Sequence, residues 1–287
     1  MRSSKPLPRF VDLHLHTNKS DGTLSPTELV RLAHRKGIGM IAITDHDTIE
    51  GVNEGQKEAD RLGLELITGV EISSQYSGGT LHILGYGLNI EHTGLQAKLK
   101  ELQEARRQRH DKILLKLRDL DIAISEEELR QYDRNASSPG RPHLASVLLG
   151  KGIVATIEEA FQQYLGKNGK AFVDKEIFSS AESIKMIHQA GGKAFVAHPV
   201  SLKREGNRLV RYIHQLCREG LNGIEVYSSS HNRRQIEEYK SVAHRMHLGI
   251  SAGSDFHGAI KPSIQIGINN DGKRTTSDLI LMSTTPP

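Results

Sequence analysis

Short apolar runs alternate with amphipathic stretches over residues 10 to 90 and again from about residue 172 onward. Val11 to Leu15, Ile38 to Thr44, Leu64 to Val70 and Thr80 to Tyr86 read as buried strands, because a strand covered on both faces has little need of polar alternation. The helices between them are marked at their starts. Ser25 with Glu28 makes a capping box, and Pro26 takes the first helical position. A second helix is expected from about Ile49 to Leu62, capped by Asp47 and stopped at Gly63.

The period then changes. Residues 95 to 119 form one long amphipathic pattern, with Leu95, Leu99, Leu102, Ile113, Leu114 and Leu117 suited to one apolar face and Arg106, Arg107, Arg109, Lys112 and Lys116 on the other. Shorter helices are expected at 125–132, 142–150 and 156–165, two of them opened by capping boxes, Ser125 with Glu128 and Thr156 with Glu159. After this helical block the alternation resumes: helix 180–190, strand Lys193 to Ala197, helix 207–219, strand Gly223 to Tyr227, helix 232–246 and strand Gly249 to Ala252. Strand and helix in alternation predict an α/β barrel of parallel strands with helices outside. Residues 1–90 and 172–287 would build it, and 91–171 would be an inserted all-helical cap. The tail Thr284-Thr285-Pro286-Pro287 is expected to be disordered.

At 287 residues the chain is long enough for one such barrel. Its formal charge of +4 is compatible with an anionic substrate and does not demand one. The single cysteine, Cys217, cannot make an internal disulfide, no apolar run approaches a membrane span, and Met1-Arg2-Ser3-Ser4-Lys5-Pro6 lacks the apolar stretch of a signal peptide. The cytoplasm is the expected compartment.

Candidate metal ligands stand at or just past the ends of the apolar runs. His14 and His16 are two apart and would share one face of a strand at the barrel mouth, with Leu13 and Leu15 packed outward. Asp45-His46-Asp47 ends the run Ile41 to Thr44, and ionisable groups at a buried strand end are costly unless paired or bound to metal. His46 is the ligand candidate of the three and Asp45 a partner that orients it. Glu71 closes Leu66 to Val70 and has two oxygens with which to bridge two ions. His198 follows Ala194 to Ala197, Asp255 and His257 repeat the spacing of two, and His82 and Asp21 complete the set. His82 also reads as a core histidine, and Asp21 as a turn residue before Gly22. Imidazole and carboxylate suit borderline divalent ions, and nine ligands exceed what one ion can use.

His14-x-His16-Thr17, Ser20-Asp21-Gly22, Thr44-Asp45-His46, Gly69-Val70-Glu71, His198-Pro199 and Gly253-Ser254-Asp255-x-His257 together resemble the polymerase and histidinol phosphatase (PHP) superfamily of metal-dependent phosphoesterases. Asp21 and the helical insertion are similar to its small nucleotide phosphatases, the AMP phosphatase, 3',5'-nucleotide bisphosphate phosphatase and 5'-3' exoribonuclease group. The resemblance implies a distorted seven-stranded (β/α)7 TIM-like barrel with a trinuclear site. By the same resemblance His14, His16, Glu71 and Asp255 hold one ion, Glu71, His82 and His198 a second, and Asp21, His46 and His257 a third. Two to three divalent ions are implied, manganese first, with iron(II) and zinc as alternatives.

Several ions close together polarise a phosphoryl group and lower the pKa of a bound water, so no side-chain nucleophile is required. Arg141-Pro142-His143 opens a helix in the insertion and supplies candidate substrate contacts, Arg141 as a bidentate phosphate clamp and His143 beside it. Glu225, near the end of a strand, is expected to orient a ligand; Tyr86 and Tyr227 read as core or rim packing. The expected reaction is hydrolysis of phosphate monoesters of small nucleotides, AMP or 3',5'-bisphosphates such as pAp, with short 5'-phosphorylated RNA as a further substrate. The alternatives are a histidinol-phosphate-type or other small-metabolite phosphatase, and a non-catalytic metal-stabilised module.

Overall fold

The computed structural model describes residues 9–125, 127–129, 141–174 and 178–280. Most of the helix expected at 125–132, and the tail at 284–287, fall outside them. Eight strands form one sheet: β1 (Phe10–Leu15), β2 (Ile38–Ile43), β3 (Glu65–Ser74), β4 (Leu81–Tyr86), β5 (Lys193–Val196), β6 (Gly223–Ser228), β7 (Gly249–Gly253) and β8 (Thr275–Thr276), in the order β7-β6-β5-β4-β3-β2-β1-β8. Just past β7 the chain returns to β1: the Asp255 N–H donates to the His14 carbonyl (3.0 Å) and the His16 N–H to the Phe256 carbonyl (3.1 Å). These bonds nearly close the sheet into a barrel, with β8 added antiparallel to the start of β1.

The barrel is not all parallel as expected. β4 runs antiparallel to both β3 and β5. Its link to β3, Gln75 to Thr80, is far too short for a parallel crossover, which takes a dozen or more residues. This reversal places the first residues of β4 at the mouth, with His82 paired to Ser73 near the end of β3.

Helices α1 (Pro26–Arg35) and α2 (Val52–Leu62) cover β1 to β3 through Leu29, Val30, Ala33, Val52 and Ala59 against Ile41 and Ile43. Helices α6 (Ser180–Gln189), α7 (Gly206–Arg218) and α8 (Arg233–Arg245) cover the other side through Ile184, Ile187, Ile213, Leu216, Ile236 and Val242. Each fully buried Leu or Ile contributes about 1.5–3 kcal/mol. The Ser25–Glu28 capping box opens α1 as expected. α2 starts later than predicted, after Gly51, and Asp47 does not cap it. The Asp47 carboxylate instead accepts the Ser73 N–H at 3.0 Å, which ties the end of β2 to β3.

Leu13, Ala42, Leu84, Tyr86, Phe195 and Ala197 fill the barrel floor, and the Tyr86 hydroxyl donates to the Leu13 carbonyl (2.9 Å). Leu13 therefore faces inward, whereas Leu15 packs with Leu29 and Ile41 as expected. The cause is an irregularity in β1: Asp12 pairs with Ile41 but Leu15 with Ile43, three residues against two. The extra residue lets Leu13 join the floor while its neighbour His14 still reaches the mouth.

Between β4 and β5 lie α3 (Thr93–Arg118), α4 (Arg141–Gly150) and α5 (Ile157–Ala160), the last continuing as a π-helical turn, Phe161–Leu165. α3 serves two cores. Leu95, Leu99 and Leu102 join the barrel's outer layer, and Ile113 and Leu117 join a separate cluster with Leu144, Val147, Leu148 and Leu165. Among the described residues, no helix is long and apolar enough to cross a membrane.

Candidate metal centre

Every strand end at the barrel mouth except that of β6 contributes to one cluster of nine imidazole and carboxylate side chains. β1 delivers His14 and His16, β2 leads to His46, β3 carries Glu71, β4 begins with His82, β5 leads to His198, and β7 leads to Asp255 and His257. Asp21 arrives on the loop after β1. Asp45 builds that loop: its Oδ1 accepts the Thr17 N–H (2.7 Å) and the Ser20 hydroxyl (2.6 Å), and its Oδ2 accepts the Thr17 hydroxyl (2.6 Å). Asp45 thus holds Asp21 in place and does not orient His46, because all its hydrogen bonds run back to the β1 loop. Gly22 completes the turn, since a Cβ there would lie 2.4 Å from the His16 carbonyl oxygen.

Glu71 is the hub. Its Oε1 lies 2.8 Å from His82 Nδ1 and 3.0 Å from His198 Nε2, and its Oε2 lies 3.1 to 3.2 Å from His14 Nε2, His16 Nε2 and His46 Nδ1. Asp255 Oδ1 stands 3.5 Å and 3.3 Å from the Nε2 atoms of His14 and His16. Asp21 lies 3.3 Å from His257 Nε2, 3.5 Å from His16 Nδ1 and 3.7 Å from His46 Nε2. Three overlapping groups could each hold a metal ion: His16, Asp21, His46 and His257; His14, His16, Glu71 and Asp255; and His46, Glu71 and His82. Any two of them share one residue. His198 reaches the cluster through Glu71, and its Nδ1 is engaged by the Ser201 hydroxyl at 3.0 Å.

The donor set fits divalent cations. Glu71 Oε2 is fully buried and takes part in no hydrogen bond, although three imidazole nitrogens face it. Such an acceptor is costly to bury unless a cation satisfies it. Burial raises a carboxyl's pKa, yet His46, His82 and His14 hold Glu71 well below its usual range, and His257 and His46 do the same for Asp21. Burial likewise opposes protonation of His16, but hydrogen bonds with Asp255 and Glu71 raise it to about 9. His46 is the opposite case: burial pushes it well below its ordinary value, so it is a neutral imidazole with a lone pair to offer.

Supporting residues fix these geometries. Glu225 on β6 accepts from His14 Nδ1 through Oε1 (2.9 Å) and from the His198 N–H through Oε2 (2.6 Å), in line with its expected orienting role. Asp12 was not picked out from the sequence, yet its carboxylate accepts the Ser254 and Gly267 N–H groups (2.8 and 2.7 Å) and locks the segment that closes the barrel. Lys261 was also missed; its ammonium donates to Asp255 Oδ2 (2.7 Å), leaving Oδ1 turned to the histidines. β7 approaches β1 so closely that a Cβ at Gly253 would lie 2.0 Å from that of His14. Asp47, His198 and Asp255 all adopt positive φ at strand ends of the mouth, where backbone strain commonly marks a functional site.

A cleft of about 260 Å³ opens beside the cluster, between Asp21, His46, Ser73, Thr80 and His82 on the barrel side and Arg106, Arg109, His110, Arg141 and Phe161 on the helical side. Arg141 donates to the Leu165 carbonyl (3.2 Å) and its guanidinium lies over the Phe161 ring at 5.7 Å. Burial and the neighbouring Arg141 and Arg106 lower Arg109 to about 10, the mark of a crowded cationic wall. Two of the basic residues of α3 are held by the chain itself, Arg109 Nε on the Val173 carbonyl (2.8 Å) and Lys116 on the Phe172 carbonyl (2.6 Å). His143 is only 1 % exposed, belongs to the buried side of α4 and does not line the cleft. Tyr86 and Tyr227 are core residues.

Known proteins share this arrangement. A 5'-3' exoribonuclease of Haemophilus influenzae is 35% identical over 246 residues, 86% of this chain and 89% of that protein. A 3',5'-nucleoside bisphosphate phosphatase of Chromobacterium violaceum is 31% identical over 261 residues, 91% and 92% of the two chains. A solved Chromobacterium violaceum structure, described as an amidohydrolase with bound sulfate and no metal, superposes with a TM-score of 0.82 at 31% identity, covering 94% of this chain and 91% of that one. The family model for the PHP domain matches residues 12–244, from Asp12 beneath the first histidine pair to the end of α8, and the chain belongs to the PHP domain family.

Proposed function

We propose that the chain is a metal-dependent phosphoester hydrolase that removes the 3'-phosphate of a nucleoside 3',5'-bisphosphate, with AMP and short 5'-phosphorylated RNA as further substrates. One observation carries the reading: a three-arginine cleft opens directly onto the nine-ligand cluster. A substrate with a second phosphate a nucleoside's length from the reacting one fills both at once. Arginine takes the fixed phosphate bidentately, Phe161 offers a ring to the base, and the reacting phosphate sits at Asp21, His46 and His82. The names of the exoribonuclease and bisphosphate phosphatase relatives support the same substrate class.

Bound divalent ions would supply Lewis-acid polarisation of the phosphoryl oxygens and activation of a water. We take the centre to hold two to three, manganese first, with iron(II) or zinc as alternatives. The overlap of the groups supports a particular division. A neutral imidazole has one lone pair, so His16 and His46 can each serve one ion only. Assigning His16 to the group of His14, Glu71 and Asp255 leaves Asp21, His46 and His257 together, and Glu71, His82 and His198 as the third set. His46 Nδ1 and His16 Nδ1 then carry protons toward Glu71 and toward Asp21 or Ser20. Residues 91–171 act as the unit that selects substrate, since they contribute Arg106, Arg109, Arg141 and Phe161 and none of the nine ligands.

Phosphate release from adenosine 3',5'-bisphosphate, AMP, 5'-phosphorylated short RNA and histidinol phosphate, each with manganese supplied, tests the reading. Turnover of the bisphosphate should lead. Faster turnover of histidinol phosphate or another non-nucleotide ester would overturn it.

A further inference from the structure

Arg106 stands between two clefts that both open at His46. The first is the arginine cleft; the second, about 120 Å³, is lined by Lys19, His46, Thr48, Glu50, Gln103, Arg106 and Arg107. We infer that this second cleft is a subsite for the sugar-phosphate backbone of a single-stranded oligoribonucleotide on the far side of the scissile phosphate. The inference rests on the proposed function and adds to it a path for the rest of a strand.

The lining argues for a phosphodiester over a base. Three cations face one carboxylate, Glu50, and no aromatic ring borders the cleft, so it offers phosphate contacts but no stacking platform. The first cleft has the complementary equipment, with Phe161 beside its arginines. Arg107 is exposed and paired with Glu104 one turn away on α3; such a surface pair is worth little, so exchange for a phosphate costs little. Gln103 and Arg106 are anchored on Asp47, the former by a 3.1 Å hydrogen bond to its carbonyl, which fixes the wall of the cleft to the strand end that carries His46.

One bond then breaks in both substrates. Water oxygen bonds to phosphorus, the P–O3' bond breaks, and the 3'-oxygen leaves with a proton. From a bisphosphate the released phosphate is inorganic; from RNA it remains as the 5'-phosphate of the downstream strand, which lies in the second cleft.

Kinetics of Arg107→Glu and Lys19→Ala on a 5'-phosphorylated tetraribonucleotide and on adenosine 3',5'-bisphosphate test this, with metal content measured for each variant. We expect KM for the tetranucleotide to rise about tenfold and the salt dependence of its binding to flatten. Constants for the bisphosphate should stay within twofold. Equal losses on both substrates, or none on the tetranucleotide, would overturn the inference. Binding of a strand with a phosphorothioate at its first linkage separates this from the hydrolytic reading. If wild type binds that strand and Arg107→Glu does not, the subsite stands even where the bisphosphate is not turned over; if wild type fails to bind it, the subsite falls.

Discussion

His14 Nε2 and His16 Nε2 face each other at 3.1 Å, both essentially without exposed surface. Two imidazole lone pairs cannot point at one spot unless a proton or a metal ion lies between them. Glu71 Oε2 and Asp255 Oδ1 border the same spot, so the position carries negative charge as well as lone pairs.

Metal uptake should therefore expel protons. In the metal-free protein His16 is raised to about 9, and His14 well above its ordinary value by Glu71 and Glu225 despite burial. The His16 proton stabilises the metal-free fold fully below about 6.5, the unfolded value, and that contribution is lost as pH rises through about 9. Metal affinity follows the reverse course, increasing from pH 6.5 to 9. Titrations in buffers of different ionisation enthalpy should read on the order of one proton released per raised imidazole. Affinity that is flat across this range would contradict the assignment of both histidines as ligands.

Glu225 touches two ligand-bearing segments and no other cluster member, through His14 Nδ1 and the His198 N–H. Glu225→Ala should weaken metal binding by about 10- to 100-fold, measured by competition with a chelator. Glu225→Gln can keep one of the two hydrogen bonds through its amide oxygen and should fall between. Wild-type affinity in both variants would mean that His14 is held by its backbone alone.

Much of this centre could be read from the chain because a barrel gathers strand ends. His14, His16, His46, Glu71, His198, Asp255 and His257 each stand where an apolar run stops, and the fold brings such positions to one mouth. His82 fitted that rule less well, since it sits at the start of β4; the direction of β4 was written in the shortness of the link Gln75 to Thr80. What Asp45 does was not legible. Its hydrogen bonds go to Thr17 and Ser20, residues that approach it only after the β1 loop folds over β2. Lys261 and Phe161 belong to the same class, because nothing in the spacing of a lone lysine or phenylalanine points to Asp255 or to Arg141. His143 misled for the opposite reason: its neighbour Arg141 faces the cleft, and two residues further round a helix the side chain faces the core.

Substitution at Glu71 should separate metal loss from simple unfolding. Its two oxygens lie within 3.2 Å of five imidazoles, so Glu71→Ala removes a shared partner from two of the three groups. Activity should fall by at least on the order of 10³-fold, about 4 kcal/mol of transition-state stabilisation. At least one bound ion per chain should be lost, counted by elemental analysis, while far-UV circular dichroism stays that of the barrel. Full activity with full metal content would mean that the carboxylate bridges nothing.

Arg141 tests the division of labour between barrel and helices. Its guanidinium is mostly buried between the Leu165 carbonyl, the Phe161 ring and the cleft, and burial together with Arg106 lowers its pKa, so the site is short of anions. A phosphate group supplies what is missing. Arg141→Ala should leave metal content intact and lower kcat/KM for a nucleoside 3',5'-bisphosphate by about 30- to 1000-fold, which is roughly 2–4 kcal/mol for a lost bidentate charged contact. For a substrate without the second phosphate the loss should be small, since the contact is absent in wild type as well. Arg141→Lys keeps the charge but not the planar fork, and should recover only part of the bisphosphate activity. A fall below twofold, or equal falls for both substrates, would assign Arg141 to packing against Phe161 and Leu165 instead of to phosphate recognition.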